Sequence, residues 1–221
     1  MLTYNDRTVE NAYEIFDQCK NTKARYWGFK EAPLSLEEMK RLFAYMKSCG
    51  KSTALEVVDY TEEGCVEGAK KAVACGVDFL LGTIYSDAAR DICLRENIRY
   101  MPFVGKVSGR PSVLNGTLED MIEEAKGYAG KGVDGIDLLG YRYTGDPFML
   151  NKVFVAAMND IGVPVCIAGS VNSYKRLDEL KEVKCAYYTI GSAFFEKKFG
   201  KSFAEQIDLV CDYMRLAKGE E

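Results

Sequence analysis

The chain of 221 residues contains no histidine. This absence excludes Ser-His-Asp and Cys-His catalytic arrangements, and zinc sites with histidine ligands, from within the chain. Acid–base chemistry would therefore fall to lysine, carboxylate, tyrosine or cysteine side chains. The sequence predicts no cofactor and no metal site. A metal bound here would use carboxylate and carbonyl oxygens, which favours Mg²⁺.

Several other features are also missing. No apolar run approaches the roughly 18 residues that span a bilayer, and the N-terminus lacks the basic and apolar regions of a secretory signal. The formal net charge is −4, without the basic excess typical of nucleic-acid binders. The eight cysteines form no CxxC pair, which is typical of reduced thiols rather than a disulfide framework. We therefore expect a cytoplasmic protein that binds neither nucleic acid nor membranes.

Short apolar runs alternate with longer amphipathic stretches along the whole chain. Eight such strand–helix units, with no GxGxxG after the first strand, favour a closed barrel over a doubly wound open sheet. We predict one α/β domain over residues 1–221, a (β/α)₈ TIM barrel. The predicted strands lie at 2–4, 25–29, 52–59, 78–83, 99–104, 135–140, 164–169 and 186–191. The predicted helices lie at 7–20, 35–49, 62–75, 86–96, 117–131, 146–161, 173–183 and 202–217.

Two similar turns follow the last two predicted strands. PVCIAGSVNS contains Gly169 and Ser170, and YYTIGSAFFE contains Gly191 and Ser192. In a TIM barrel, the loops after strands seven and eight frequently bind phosphate. Glycine lets backbone N–H groups approach an anion closely, and serine adds a hydroxyl donor. A single Gly-Ser pair is more typical of an ordinary tight turn, but two in consecutive units favour a substrate-phosphate site at these four residues.

The same region, VPVCIAGSVNSYKRLDEL…CAYYTIGSAFFE, resembles the last quarter of the ribulose-phosphate-binding barrel families. These families include phosphosugar isomerases, epimerases and decarboxylases, in which the turns after strands seven and eight jointly hold the substrate phosphate. GIDLLGYRYTGD is similar to part of the N-acetylmannosamine-6-phosphate epimerases. The resemblance implies an isomerase or epimerase of carbohydrate metabolism that acts on a sugar phosphate. However, strand three (ALEVVDY) lacks the lysine, and strand seven (IAGS) the glutamate, that transfer protons in those epimerases.

Strand alternation predicts which side chains point into the barrel. In RYWGFK the aromatic residues suit the helix-facing side, which turns Lys30 inward. The same reasoning turns Glu56, Asp137 and Tyr141 inward. Because a buried charge is costly unless it is paired, two interpretations remain open. Lys30 and Glu56 form a structural ion pair, or these residues belong to an active site at the carboxyl ends of the strands.

Further candidates lie in loops. Lys106 and Arg110 belong to VGKVSGRPSVLNG, a Gly- and Ser-rich loop that suits a mobile lid. Lys106 would act as an electrophile, although an exposed loop lysine is equally typical. Arg110 would pair with a second anionic group.

Asp6 ends the first strand, where related isomerases keep an acid–base carboxylate, or it caps the following helix. Cys166 lacks a neighbouring base and is therefore predicted to be a core residue.

These residues predict an enzyme that moves a proton next to a carbonyl in a small phosphorylated substrate. Lys30 and Asp6 would be the acid–base groups, Glu56 would tune Lys30, and Lys106 would assist. Asp137, Tyr141 and Arg110 would line the pocket. Two alternatives remain, a class I aldolase that forms a Schiff base or a barrel that binds a phosphate ligand without catalysis. Because barrels of this kind commonly dimerise, a homodimer is also expected.

Overall fold

The computed structural model describes residues 1–215, along which strands and helices alternate. The strands are Thr3–Tyr4 (β1), Arg7–Thr8 (β2), Tyr26–Lys30 (β3), Ser52–Val57 (β4), Phe79–Gly82 (β5), Arg99–Met101 (β6), Lys106–Ser108 (β7), Val113–Asn115 (β8), Ile136–Leu138 (β9), Val165–Ile167 (β10) and Tyr187–Tyr188 (β11). The helices are Ala12–Cys19 (α1), Leu36–Ser48 (α2), Glu62–Cys75 (α3), Asp87–Arg95 (α4), Leu118–Gly130 (α5), Pro147–Asp160 (α6), Tyr174–Val183 (α7), Ser192–Phe195 (α8) and Phe203–Arg215 (α9), with a 3₁₀ turn at Gly140–Arg142. The predicted last helix ran to residue 217, and its residues 216–217 lie outside the described residues.

Parallel strands form the centre of the molecule, as predicted. One sheet has the order β3-β4-β5-β6 and a second has the order β11-β10-β9. The Asp137 amide donates a 2.9 Å hydrogen bond to the Pro102 carbonyl, which links β9 to the segment after β6. Parallel neighbours need crossover connections, and the helices between consecutive strands supply them.

The first segment of the chain lies between β3 and β11. The Leu2 amide donates to the Gly28 carbonyl at 2.8 Å, and the Met1 amino group donates to the Ile190 carbonyl at 2.9 Å. Together with the Asp137–Pro102 link, these bonds connect both edges of the two sheets. The (β/α)₈ barrel predicted from the sequence is confirmed.

The start of the first helix was predicted wrongly. Asn5 and Asp6 both adopt left-handed backbone conformations, with φ of 48° and 63°. The chain therefore turns back, and β2 pairs antiparallel with β1. Helix α1 begins only at Ala12, so Asp6 does not cap it; the N-cap residue is Asn11. This hairpin fixes Asp6 at the end of β1, and its side chain is almost fully buried.

Aromatic side chains fill the space between the barrel and its helices. The Phe16 ring of α1 meets the Trp27 ring edge-on at 5.0 Å, and Phe29 stacks on Phe43 of α2 at 4.0 Å. Trp27 and Phe29 thus face the helices, as the sequence predicted. Because side chains alternate along a strand, Lys30 is left pointing into the barrel.

The segment between β6 and α5 is more regular than predicted. Instead of an irregular loop, it contains an antiparallel hairpin in which β7 pairs with β8 and Val107 faces Leu114. Leu114 is fully buried, which anchors the hairpin to the barrel. Among residues 1–215 no helix is long and apolar enough to cross a membrane, and each of the eight cysteines is a free thiol.

Candidate active site

A cavity of about 430 Å³ opens at the carboxyl ends of the barrel strands. The residues of the two Gly-Ser turns, after β10 and β11, share it with ionisable side chains from the first strands. Its lining includes seven residues that were predicted from the sequence: Asp6, Lys30, Glu56, Gly169, Ser170, Gly191 and Ser192.

Lys30 lies between two carboxylates inside this cavity. Its Nζ atom is 2.8 Å from Oε1 of Glu56 and 3.0 Å from Oδ1 of Asp6. Lys30 and Glu56 are register partners on the neighbouring strands β3 and β4, so both side chains leave the sheet on the same inner face. The three side chains are at most 6% exposed. The predicted ion pair therefore exists, and it belongs to the wall of the cavity.

The protonation states of Asp6 and Lys30 follow from this pairing. Burial would raise the pKa of Asp6, but hydrogen bonds and charges from Arg142 and Lys30 hold it well below its usual range. Burial would lower the pKa of Lys30, but the charges and hydrogen bonds of Glu56 and Asp6 outweigh burial and raise it. At neutral pH Lys30 is therefore an ammonium and Asp6 a carboxylate.

Arg142 completes the charged cluster. It ends the 3₁₀ turn after β9, and its Nη2 atom lies 3.0 Å from Oδ1 of Asp6. Its Nη1 atom donates to the Ser112 carbonyl at 3.4 Å. Arg142 follows the sixth predicted strand directly after Tyr141, and this position made both residues candidates for the pocket lining. Ser112, which also lines the cavity, was missed because nothing in its local sequence distinguishes it from other loop serines.

Tyr141 was predicted to line the pocket, but it lies outside the cavity lining. Its hydroxyl donates to the Arg176 carbonyl at 3.2 Å, and the Arg176 guanidinium lies over its ring at 4.6 Å. The reason is that β9 ends at Leu138. Strand alternation no longer sets side-chain direction in the turn that follows, and Tyr141 faces α7 instead.

Asp137 points into the barrel, as predicted, but it is not part of the cavity lining. Its side chain is buried, and within the described residues neither carboxylate oxygen has a hydrogen-bond partner. Burial raises the pKa of Asp137 well above its usual range, and the nearby charge of Glu56 raises it further. The surroundings of Asp137 therefore favour its protonated form.

The hairpin β7–β8 directs two predicted residues away from the cavity. Lys106 is exposed on β7. Arg110 bonds Glu31 at 2.7 Å and the Val58 carbonyl at 3.0 Å, and neither Lys106 nor Arg110 is part of the cavity lining. The sequence could not show this, because the direction of each side chain depends on how the hairpin folds over the barrel.

The two Gly-Ser turns pack closely, one against Arg142 of the charged cluster and the other against the first strand. Gly169 and Ser170 are both left-handed, with φ of 77° and 57°. A Cβ atom on Gly169 would lie 2.6 Å from Nε of Arg142, and one on Gly191 would lie 2.4 Å from Oγ1 of Thr3. Both positions therefore need glycine for close approach.

Hydrogen bonds hold the two turns in place. Arg176 donates to the Ser170 carbonyl, and the Asn5 amide donates to Oγ of Ser192 at 3.3 Å. Residues 1–215 contain no group of three or more Cys, Asp or Glu side chains placed to hold a metal ion.

Comparison with known proteins reveals likeness in fold. No family model matches the chain. No curated protein sequence matches it either.

Among solved structures, thiamine phosphate pyrophosphorylase from Pyrococcus furiosus is 15% identical with a TM-score of 0.66, covering 94% of this chain and 91% of that one. A native KDPGal structure is 12% identical with a TM-score of 0.72, covering 97% and 93%. Monomers of phosphoribosylanthranilate isomerase from Thermotoga maritima are 16% identical with a TM-score of 0.62, covering 92% and 94%. At these identities the likeness is one of architecture, and it agrees with the TIM barrel seen in the chain.

Proposed function

We propose that this protein is an enzyme that acts on a small phosphorylated sugar or a related phosphate ester. The reaction is a proton transfer next to a carbonyl, as in an isomerase or epimerase. One observation carries the proposal: both Gly-Ser turns and the Asp6–Lys30–Glu56 cluster line the same cavity.

The two turns suit the substrate phosphate. All four Gly and Ser residues of these turns line the cavity. Glycine lets backbone N–H groups approach an anion closely, and Ser170 and Ser192 add hydroxyls that can donate to it. The phosphate would be held mainly by these neutral donors, because the cations that line the cavity, Lys30 and Arg142, are already paired with carboxylates. An anchored phosphate provides binding energy remote from the reacting carbons, which positions the carbonyl beside Lys30.

The cluster suits proton transfer. The Lys30 ammonium is in the protonation state needed to polarise a carbonyl and to donate a proton. Asp6 is bonded by both Lys30 and Arg142, which makes it a weak base that orients Lys30. Among the cations of residues 1–215, only Lys30 bonds Glu56. Glu56 is therefore better placed than Asp6 to act as the general base.

The structural neighbours support the choice of substrate class. Thiamine phosphate pyrophosphorylase and phosphoribosylanthranilate isomerase both carry a phosphorylated compound in their names, and the second is an isomerase. Both share this barrel architecture across more than nine-tenths of the chain. This likeness supports a phosphate-ester enzyme without selecting its substrate.

Two measurements test the proposal. Thermal melting with inorganic phosphate and a panel of sugar phosphates should reveal a stabilising ligand, since a ligand at about 100 times its Kd adds roughly 2.7 kcal/mol. That ligand is then incubated with the protein in heavy water, and NMR should show solvent deuterium at a carbon next to its carbonyl. Stabilisation without deuterium incorporation would indicate a non-catalytic binder, and no stabilisation by any phosphate would refute the proposal.

A further inference from the structure

The hairpin β7–β8 places Ser112 next to the charged cluster. Although Ser112 belongs to a surface loop, it is only 1% exposed. Its amide donates to Oδ2 of Asp6 at 3.2 Å, and its hydroxyl donates to the same oxygen at 3.4 Å. Lys30 and Arg142 occupy Oδ1. Ser112 therefore bonds the one oxygen of Asp6 that the two cations leave free.

Besides Asp6, two other residues, Arg142 and Tyr60, contact Ser112. Its carbonyl accepts from Arg142, so the arginine contacts both Ser112 and Asp6. Its hydroxyl lies 2.9 Å from the hydroxyl of Tyr60, which also donates to the Gly109 carbonyl at 3.0 Å. The position of Ser112 thus depends on three separate segments of the chain.

A second tie joins the hairpin to the residue next to Lys30. Arg110 bonds Oε1 of Glu31 at 2.7 Å, and the other oxygen of Glu31 accepts from the Val58 amide at 3.2 Å. Arg110 also donates to the Val58 carbonyl at 3.0 Å. The side chains of Arg110 and Glu31 are only 30% and 13% exposed, so solvent screens this pair less than an open surface pair.

We propose that Ser112 is a positioning residue that fixes the Asp6 carboxylate against Lys30, and that the Arg110–Glu31 tie holds the hairpin in the place where Ser112 can do so. When the hairpin moves the amide and hydroxyl of Ser112 away, the carboxylate of Asp6 is held through one oxygen only and is free to rotate about it. Because Asp6 orients Lys30, the orientation of the ammonium toward a substrate carbonyl then depends on closure of the hairpin.

The catalytic part of this inference rests on the proposed function, whereas the coupling between the hairpin and Asp6 does not. The coupling is tested first, by amide hydrogen exchange measured by NMR. In Asp6→Ala the Ser112 amide loses its acceptor, and its exchange should accelerate about tenfold, as expected for the loss of one hydrogen bond. Arg110→Gln should accelerate it similarly by releasing the hairpin.

The controls are internal and matched. The amides of residues 106–108 lie in the paired strand β7 and should keep their exchange rates in both variants. Ser108→Ala changes an exposed serine of the same hairpin and should leave the Ser112 amide unaffected. An unchanged Ser112 amide in both Asp6→Ala and Arg110→Gln would overturn the proposal.

The catalytic consequence is tested by kinetics on the substrate found under the proposed function. Arg110→Gln, which releases the hairpin that carries Ser112, should lower kcat about tenfold or more, with KM changed less than about twofold, because misplacement of a reacting group affects the chemical step. Ser112→Ala keeps the amide bond to Asp6 and removes only the longer hydroxyl contact, so it should lower kcat by a smaller factor. Tyr60→Phe, which removes only the hydroxyl beside Ser112, should lower kcat in the same direction, and Ser108→Ala should not. Lowered thermal stability of Arg110→Gln with unchanged kcat would overturn the positioning role. If no phosphorylated compound is turned over, the proposed function fails, and hydrogen exchange still decides the coupling.

Discussion

The Nζ atom of Lys30 lies 2.8 Å from Oε1 of Glu56, on register partners of two neighbouring parallel strands. Asp6 joins the pair at 3.0 Å. A buried cation between two carboxylates is stable only while all three charges remain together. The stability of the fold and the proposed chemistry of the cavity therefore depend on the same side chains.

Replacement of Lys30 should show this dependence. Lys30→Met leaves Glu56 without its cation, and loss of one partner of a buried ion pair costs about 3–5 kcal/mol. Urea unfolding should show this loss, and deuterium incorporation into the substrate should stop. Lys70→Met, which removes an exposed lysine on α3, is the matched control and should change neither. A Lys30→Met variant that retains activity would contradict the assignment of Lys30 as the acid.

The charged state of Lys30 also disfavours a Schiff-base mechanism. Because Glu56 and Asp6 raise its pKa, Lys30 is protonated at neutral pH and is a poor nucleophile. Borohydride reduction in the presence of phosphorylated keto compounds should therefore leave Lys30 unmodified, as read by peptide mass spectrometry. A reduced substrate adduct on Lys30 would instead establish the Schiff-base aldolase.

The turn after β10 should be sensitive to a single methyl group. Gly169→Ala introduces a Cβ atom 2.6 Å from Nε of Arg142 at a left-handed position. Stabilisation by the phosphate ligand, measured by thermal melting, should be lost because the turn and Arg142 can no longer keep their positions.

Gly162 provides a matched control for the backbone strain in that experiment. It is also left-handed, with φ of 72°, but a Cβ atom there meets nothing within 4 Å. Gly162→Ala should cost about 1 kcal/mol in backbone strain and keep the ligand-induced stabilisation. Equal loss of stabilisation in both variants would show that strain alone, rather than the cavity, is responsible.

Asp137 should make the stability of the protein depend on pH. Its pKa is raised in the folded state by burial and by Glu56, with Lys30 and Arg142 opposing. A raised carboxyl pKa means that the folded state holds a proton which the unfolded chain releases above about pH 3.9. Its contribution to stability is therefore fully present below that pH and is lost as the pH rises toward the folded pKa.

Asp137→Asn removes this titration while keeping a neutral side chain of similar shape. Relative to wild type, the variant should gain stability with increasing pH, by at most about 1.36 kcal/mol per pH unit. Urea unfolding of both proteins across neutral pH measures the difference. An infrared band of a protonated carboxyl group, present in wild type and absent in the variant, would provide independent support. A pH-independent difference in stability would contradict a raised pKa of Asp137.

Much of the architecture was predictable because it depends on local periodicity. Alternation along β3 and β4 correctly turned Lys30 and Glu56 into the barrel. The capping box at Ser35 and Glu38 forms at the start of α2 as its sequence SLEE indicates. The two Gly-Ser turns were found by their repetition in consecutive units, and they line one cavity because neighbouring parallel strands end at the same edge.

Predictions failed where the chain leaves regular structure. The left-handed residues Asn5 and Asp6 fold the chain into β2, where the pattern indicated a helix. Tyr141 follows the end of β9, so the period of two no longer sets its direction. In the segment with Arg110, composition indicated a loop, although the chain forms a hairpin.

The sequence by itself determined the alternating strands and helices, the inward positions of Lys30 and Glu56, and the site of both Gly-Ser turns. These features follow from interactions between residues that are close in the chain or repeat with a fixed period. Only the tertiary structure decided the partners of Asp6. Ser112 lies 106 residues away from it and Arg142 lies 136 residues away. Such contacts arise from closure of the barrel and the folding of one hairpin across it, and no local pattern encodes them.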